Sequence, residues 1–149
     1  MNRSGNWTAT LTGLADHIDR TPLPDQALLA GGVELAAQAA ADLLIPRGGP
    51  VPLAVCLAGL RIGAARTHLE PPAALGQPAA RLITLAALDA DIPDTTAHHA
   101  LATLLAAVRH GITRHLAGPD GDPGQALALA RAAVALGEAE TELAYPVAP

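Results

Sequence analysis

Two pairs of basic side chains, one on each of two predicted helices, have the spacing of a small-anion site. Arg61 and His68 are two helical turns apart, so one face of a helix carries both. His98 and Arg109 lie together on the shoulder of a later helix's apolar face. If these helices are neighbours, the four side chains line a groove that clamps a carboxylate and carries a proton. The alternative is that both arginines reach the surface and pair with carboxylates there.

A second cluster, rich in carboxylates and imidazoles, has ligand types that bind a divalent metal. Its members are Asp91, Asp94, His98 and His99. If a helix begins near Asp94, then Asp94 and His98 stand one turn apart on the same face. A zinc or iron site normally has three or four ligands, and this spacing places only two together. The competing interpretation is structural, with Asp94 as a first-turn anion and His98 as its helical neighbour, so we expect no cofactor.

Motifs for several common enzyme chemistries are missing from the sequence. Gly31-Gly32 and Gly48-Gly49 lack the strand context and the lysine of a phosphate-binding loop, since the chain contains no lysine. Ser4 is the only serine and lies near the terminus, which disfavours a serine nucleophile. No glutamate precedes a histidine by three positions, as the di-iron bundles require. Whether the chain is an enzyme is left open at this point.

The charge and composition of the chain disfavour several further classes. A net charge of −5 leaves no basic surface to gather phosphates, so we expect no nucleic-acid partner. The chain has 149 residues, of which 50% are hydrophobic and 15% charged, and this balance is typical of a folded domain rather than a disordered one. The chain has nine arginines but no lysine and no phenylalanine, a bias typical of a GC-rich bacterial genome.

Neither a membrane span nor an export signal is predicted. The most apolar stretch, 51–65, contains Arg61 and is shorter than the ~20 residues that a bilayer requires. The N-terminus leads into polar residues and not into an apolar segment, so we expect a cytoplasmic protein with no membrane partner. Cys56 is the only cysteine, which forbids an internal disulfide, and its apolar setting predicts a small hydrophobic side chain rather than a nucleophile.

Six helical segments are predicted between clusters of proline and glycine. Alanine and leucine are strong helix formers, and β-branched residues are sparse. Proline and glycine clusters interrupt this helical background. The segments cover about 6–20, 25–44, 52–69, 79–90, 94–116 and 123–144. The sequence therefore predicts an all-α fold, a single domain over 1–149 with an ordered core of about 6–145, in which five to six mostly antiparallel helices form a bundle.

The apolar helix at about 52–69 is predicted to be the central helix of the bundle. Leu53 and Leu60 line one side, and a valine and an isoleucine line the other, so neither side is suited to water. Gly59 and Gly63 are one turn apart, and they are predicted to let another helix backbone approach closely. The remaining helices are expected to pack around this one over short loops.

The predicted helices have more apolar surface than a bundle of this size can hide, and the terminal helix is apolar on two flanks. We therefore expect a non-catalytic helical module, accessory or regulatory in role, that self-associates or binds a partner protein. The alternative is a small enzyme or ligand-binding protein that holds a small anion in an internal pocket through Arg61, His68, His98 and Arg109. A metal-dependent site at Asp91 and its neighbours is a third hypothesis.

Overall fold

Five α-helices form the described part of the chain in this computed structural model. The structure describes residues 3–45, 53–69, 88, 92–118 and 123–144. The helices are α1 (Arg3–Arg20), α2 (Gln26–Leu43), α3 (Leu53–Leu69), α4 (Asp94–Leu116) and α5 (Pro123–Ala144). No strand occurs among these residues, and the helices pack into one bundle, which confirms the all-α prediction. The helix predicted at about 79–90 lies outside the described residues.

Local signals in the sequence explain where two of the helices begin. Asp25 is the N-cap of α2, and its Oδ1 accepts a hydrogen bond of 2.8 Å from the backbone N–H of Leu28. The predicted start at 25 placed Asp25 inside the helix. The structure places it just before the helix. Pro93 precedes α4 in an extended conformation, and Asp94 supplies the acidic residue of the first turn. Proline suits this boundary because it has no N–H to donate to a preceding turn and its ring disfavours a helical conformation at the residue before it.

The helices α2, α3, α5 and α4 form a closed ring in that order. Each packs against the next, and α4 returns to α2. The first helix, α1, lies outside this ring and packs on α4 and α2. Helix α2 runs antiparallel to α1, α3 and α4, and α1 and α4 therefore run parallel to each other. The contacts that fix these directions are Trp7–Asp42, Pro24–His115, and Glu34–Arg66 taken with the approach of Ala40 to Gly59.

The prediction that the helix at about 52–69 is central is wrong for the described helices. Helix α3 packs against α2 and α5, and its opposite side is open, with Leu53 55% and Leu60 71% exposed. Helix α4 instead packs against α1, α2 and α5, and its apolar stripe from Leu101 to Ile112 is buried. A helix that is apolar all round is buried only where it has neighbours on every side, and the sequence of one helix does not specify its neighbours.

Two glycines on facing helices allow α2 and α4 to approach closely. A methyl group added at Gly32 would lie 2.6 Å from Val108 Cγ2 and 3.2 Å from Ile18 Cδ1. One added at Gly111 would lie 2.8 Å from Leu29 Cδ2 and 3.1 Å from Ile18 Cγ2. Real side-chain contacts are longer than this, so a larger residue at either position would displace the neighbouring side chains. The Ile18 side chain of α1 enters the same contact and joins three helices at one point.

The glycines predicted for close approach do not have this role. Gly63 has no atom within 4 Å of an added methyl group, and the nearest atom at Gly59 is Ala40 Cβ at 4.0 Å. Both lie on α3 away from its tightest packing, because the buried face of α3 is formed by other residues. The prediction of close approach at Gly59 and Gly63 is therefore wrong, and the close approach occurs between α2 and α4.

Trp7, the only tryptophan of the chain, is fully buried in the bundle. Its indole Nε1 donates a hydrogen bond of 3.0 Å to Asp42 Oδ2 near the end of α2. A buried indole N–H needs such an acceptor, because a buried donor without a partner has lost its hydrogen bond to water and gained none in return. The contact therefore fixes the start of α1 against the end of α2.

Candidate functional site

Arg109 pairs with a carboxylate on the neighbouring helix α5. Its Nε and Nη2 donate to the two carboxylate oxygens of Glu140 at 2.5 and 3.2 Å. This two-pronged geometry is the strong form of an arginine–carboxylate contact. The hydrogen bond with Glu140 raises the pKa of Arg109, against a smaller effect of burial. The positive charge of Arg109 is thus matched within the protein.

Arg61 pairs with α5 as well, through a different glutamate. Its Nη1 lies 3.0 Å from Glu138 Oε2, and the side chains of Arg61 and Glu138 are 48% and 46% exposed. A second cation of α3, Arg66, pairs in the other direction, with Glu34 of α2, at 2.7 Å. The half-exposed side chains of α3 are therefore joined by ion pairs to the helices on both of its flanks.

The structure places Arg61 and Arg109 on different flanks of α5. Their partners, Glu138 and Glu140, are two positions apart, which corresponds to a rotation of about 200° around a helix. His68 is partly buried on α3. An anion at either guanidinium would compete with a glutamate already paired there. The pocket predicted from these four residues stays a prediction.

His98, on α4, is the most unusual polar side chain of the predicted sites. It is partly buried, and its Nε2 is inaccessible to water and has no hydrogen-bond partner. Burial lowers the pKa of His98 below its usual value, and the nearby negative charge of Asp94 opposes that shift. Burial without a partner thus favours the uncharged form of the His98 ring.

The predicted metal cluster is only partly within the described residues. Asp91 lies outside them, Asp94 is the first residue of α4, and His99 is exposed to water. Across the described ranges, no three carboxylate, imidazole or thiol side chains come together as metal ligands would. The structure brings Asp94 close to His98, and the fourfold metal site remains a prediction.

A shallow groove of about 470 Å³ lies between α4 and α5. The groove is lined by Arg109, Thr113, Ala133, Val134, Gly137, Glu140 and Thr141. Its charged side chains are the paired Arg109 and Glu140. Its two hydroxyls, of Thr113 and Thr141, donate to backbone carbonyls of their own helices at 3.2 and 3.0 Å. The groove therefore offers shape but no unpaired charge to a ligand.

The most distinctive surface of the described structure is apolar. Seven large hydrophobic side chains among the described residues are exposed, and four of them lie on α3 and α5. On α3, Leu53 and Leu60 are two turns apart on one side. On α5, Leu127 and Val134 have the same spacing and are 53% and 63% exposed. The other three are scattered: Leu23, Ile45 and Leu116 lie in a loop or at helix ends.

The two apolar stripes flank one ion pair. Arg61 directly follows Leu60 on α3, and Glu138 comes one turn after Val134 on α5, so each stripe has one end beside this ion pair. We call this surface the α3–α5 outer face. It consists of Leu53, Leu57, Leu60, Arg61 and Ala64 of α3, with Leu127, Val134 and Glu138 of α5.

Sequence reasoning predicted surplus apolar surface on the terminal helix, but it did not predict that α3 contributes to this face. It assigned Leu53 and Leu60 to a buried helix side, because a helix that is apolar all round gives no sign of which side meets water. The signal that was present is the heptad spacing of exposed hydrophobics on two helices, Leu53 with Leu60 and Leu127 with Val134. Which helices pack together decides whether such stripes meet.

None of the five described helices combines the length and the apolar character needed to cross a bilayer. Comparison with known proteins assigns no family: the chain has no significant match to a protein-family model, a curated protein or a solved structure. Any functional conclusion therefore depends on the geometry of the chain itself.

Proposed function

We propose that this chain is a non-catalytic helical module that associates with other copies of itself through the α3–α5 outer face. The observation that carries the proposal is the concentration of exposed large hydrophobics there, with Leu60 71% and Val134 63% exposed. Scattered exposed hydrophobics are normal in a monomer, but a clustered patch marks a site of association. The sequence leads us to place this association in the cytoplasm.

The size of the face suits a weak, reversible complex. Helix α3 has 17 residues. At 1.5 Å per residue it is about 25 Å long. Two helices side by side at a spacing of about 10 Å then present roughly 500 Å² from each copy. The total of roughly 1,000 Å² lies at the lower limit of specific interfaces. We therefore expect dissociation in the micromolar range and a monomer at high dilution.

The charges of the face support a protein partner over a small anion. Arg61 and Glu138 are about half-exposed and neutralise each other, so the face attracts neither sign strongly. The anion pocket remains the second hypothesis from the sequence, and the pairing of Arg61 and Arg109 with glutamates gives it no support.

Sedimentation velocity over a range of protein concentrations tests the proposal. The wild-type chain is expected to shift from monomer to dimer as its concentration rises. Leu60→Gln replaces an exposed apolar side chain by a polar one of similar size, so it should weaken association roughly fivefold or more without unfolding the chain. Leu23→Gln is the matched control, because Leu23 is 63% exposed but lies in the α1–α2 loop.

Two results would contradict the proposal. A wild-type chain that remains monomeric at every concentration has no self-association face. A chain that dimerises equally well with Leu60→Gln and with Leu23→Gln associates through another surface.

A further inference from the structure

Helix α3 is apolar on two opposite sides, and both sides repeat with the spacing of a coiled-coil seam, in steps of three and four residues. The buried side consists of Val55, Ala58, Ile62, Ala65 and Leu69. The outer side consists of Leu53, Leu57, Leu60 and Ala64. The buried seam packs within the bundle against α2 and α5. The outer seam has the same helix-packing pattern, and it faces away from both of these helices.

The corresponding stripe of α5 is not continuous. Its heptad spacing passes through Arg131 and Glu138, which are charged and exposed. The equivalent positions of α3 are Leu57 and Ala64, which are apolar. A coiled-coil seam needs apolar residues at both positions of its repeat. The outer seam of α3 is therefore the part of the α3–α5 outer face that is suited to packing against another helix.

The sizes of the side chains along this seam favour an antiparallel pair of α3 helices. A two-fold axis perpendicular to α3, at a level between Leu57 and Leu60, places these two residues opposite each other across the copies. The same axis places Leu53, a large side chain at one end of the seam, opposite Ala64, a small one at the other end. A parallel pair would instead place alanine against alanine and leave a gap in the packing.

The charges of α3 favour the same direction. Arg61 and Arg66 lie in its second half, and the helix contains no acidic residue. A parallel pair would bring each arginine to the level of the same arginine in the second copy. An antiparallel pair places this half against the uncharged first half, 53–60, and it also opposes the two helix dipoles.

We infer that two copies of this chain pair through antiparallel α3 helices, with Leu57 opposite Leu60 and Leu53 opposite Ala64 of the second copy. Each of these contacts occurs twice, because the pair is two-fold symmetric. A single pair of helices of this length buries an area near the lower limit of specific interfaces, so the complex is weak and reversible. This inference rests on the proposed self-association, and it specifies the contacting helix and its direction.

Disulfide cross-linking between two single-cysteine variants tests the inference. Leu53→Cys and Ala64→Cys are each made in a Cys56→Ala background, so that every chain has one thiol. In an equimolar mixture above the dissociation constant, the two thiols face each other across the seam. Oxidation by copper–phenanthroline should cross-link the mixture at least tenfold faster than either variant alone, measured on non-reducing gels. In either variant alone, the thiols of the two copies are about 16 Å apart along the helix, beyond the reach of a disulfide.

Two controls separate docking from collision and from loss of fold. Leu23→Cys in the same background, mixed with Leu53→Cys, gives the collisional rate, because Leu23 is 63% exposed but lies in the α1–α2 loop. Leu53 and Ala64 are both exposed, so their replacement should leave the circular dichroism spectrum unchanged. A second readout needs no thiol: Leu53→Gln should weaken association fivefold or more, whereas Leu127→Gln should stay within twofold of wild type.

The outcomes distinguish the inference from the proposal beneath it. Fast cross-linking of Leu53→Cys alone and of Ala64→Cys alone, with none in excess in the mixture, would show a parallel pair and overturn the antiparallel one. If wild type dimerises but the mixture cross-links only at the collisional rate, or if Leu127→Gln weakens association as much as Leu53→Gln, the α3 seam is overturned while self-association stands. If the wild-type chain never dimerises, self-association itself fails.

Discussion

Arg114 of α4 donates a hydrogen bond of 2.7 Å from its Nη2 to the backbone carbonyl of Ile18, in the last turn of α1. The Ile18 carbonyl also accepts a hydrogen bond of 3.1 Å from the backbone N–H of Thr21, so Arg114 is its second partner at an end of the helix where carbonyls lack the regular helical donor. Here a cation contributed by a distant helix also lies at the negative end of the α1 dipole. The contact ties together two segments that are 96 residues apart.

Replacing Arg114 should therefore loosen the end of α1. Arg114→Met keeps most of the apolar stem and removes the donor, so the free energy of unfolding is expected to fall by about 1–2 kcal/mol. Urea unfolding followed by circular dichroism measures this change. Arg131→Met is the control, because Arg131 is exposed on α5, and its replacement should have little effect. Equal losses for both variants would show that the contact with Ile18 contributes nothing specific.

The close contact between α2 and α4 should not tolerate an added methyl group. Gly32→Ala would press on Val108, whose branched side chain has little freedom to move, and is expected to destabilise the fold by about 1–3 kcal/mol. Gly63→Ala meets no atom within 4 Å, so it should stabilise α3 by about 0.5–1 kcal/mol through helix propensity. Thermal unfolding of the two variants gives opposite shifts in Tm if the packing is as described.

The stability of the chain should depend on pH through His98. Burial holds the pKa of His98 below its usual 6.5 in the folded chain. The unfolded chain therefore binds the proton more readily, and the contribution of His98 to stability is present above pH 6.5 and is lost as the pH falls through the folded pKa.

Urea unfolding between pH 8 and pH 5 can isolate this contribution by comparing wild type with His98→Leu. The difference in unfolding free energy between the two proteins should be constant above pH 6.5 and should turn against the wild type at lower pH. A difference that stays constant over the whole range would contradict the burial of an uncharged imidazole at this position.

The hydrogen bond from Trp7 to Asp42 should contribute measurably to the packing of α1. Asp42→Ala leaves a fully buried indole N–H without its acceptor, at a cost of about 1–2 kcal/mol. Fluorescence of the single tryptophan reports the unfolding directly and should start blue-shifted, as expected for a buried ring. Asp19→Ala, an exposed change on α1, is the control. If both variants unfold at the same urea concentration, the hydrogen bond has no net effect on stability.

Helix boundaries were predictable from the sequence because proline, glycine and capping residues act locally. The segments predicted at 94–116 and 123–144 coincide with α4 and α5. Asp25 shows the limit of this precision, since the sequence placed it inside α2 and the structure places it at the cap. Cap and first turn differ by one residue, and propensity alone does not separate them.

The arrangement of the helices was less accessible to sequence reasoning. An all-round apolar helix such as α3 is compatible with a central or a peripheral position, and only its neighbours decide between the two. The same holds for charged residues. The sequence does not specify which carboxylate pairs with Arg61, and its pairing with Glu138 depends on α5 lying beside α3. The candidate face is likewise a product of two helices that are distant in sequence.

The meeting of Ile18, Gly32 and Gly111 has a consequence for the slow motions of the molecule. Where three helices lie this close, water reaches the backbone only after they separate, and separating them breaks the whole contact at once. The last amide protons to exchange in deuterium oxide are therefore expected in the middle of α2 and the second half of α4, whereas those of α3, which faces solvent on one side, should exchange through smaller openings.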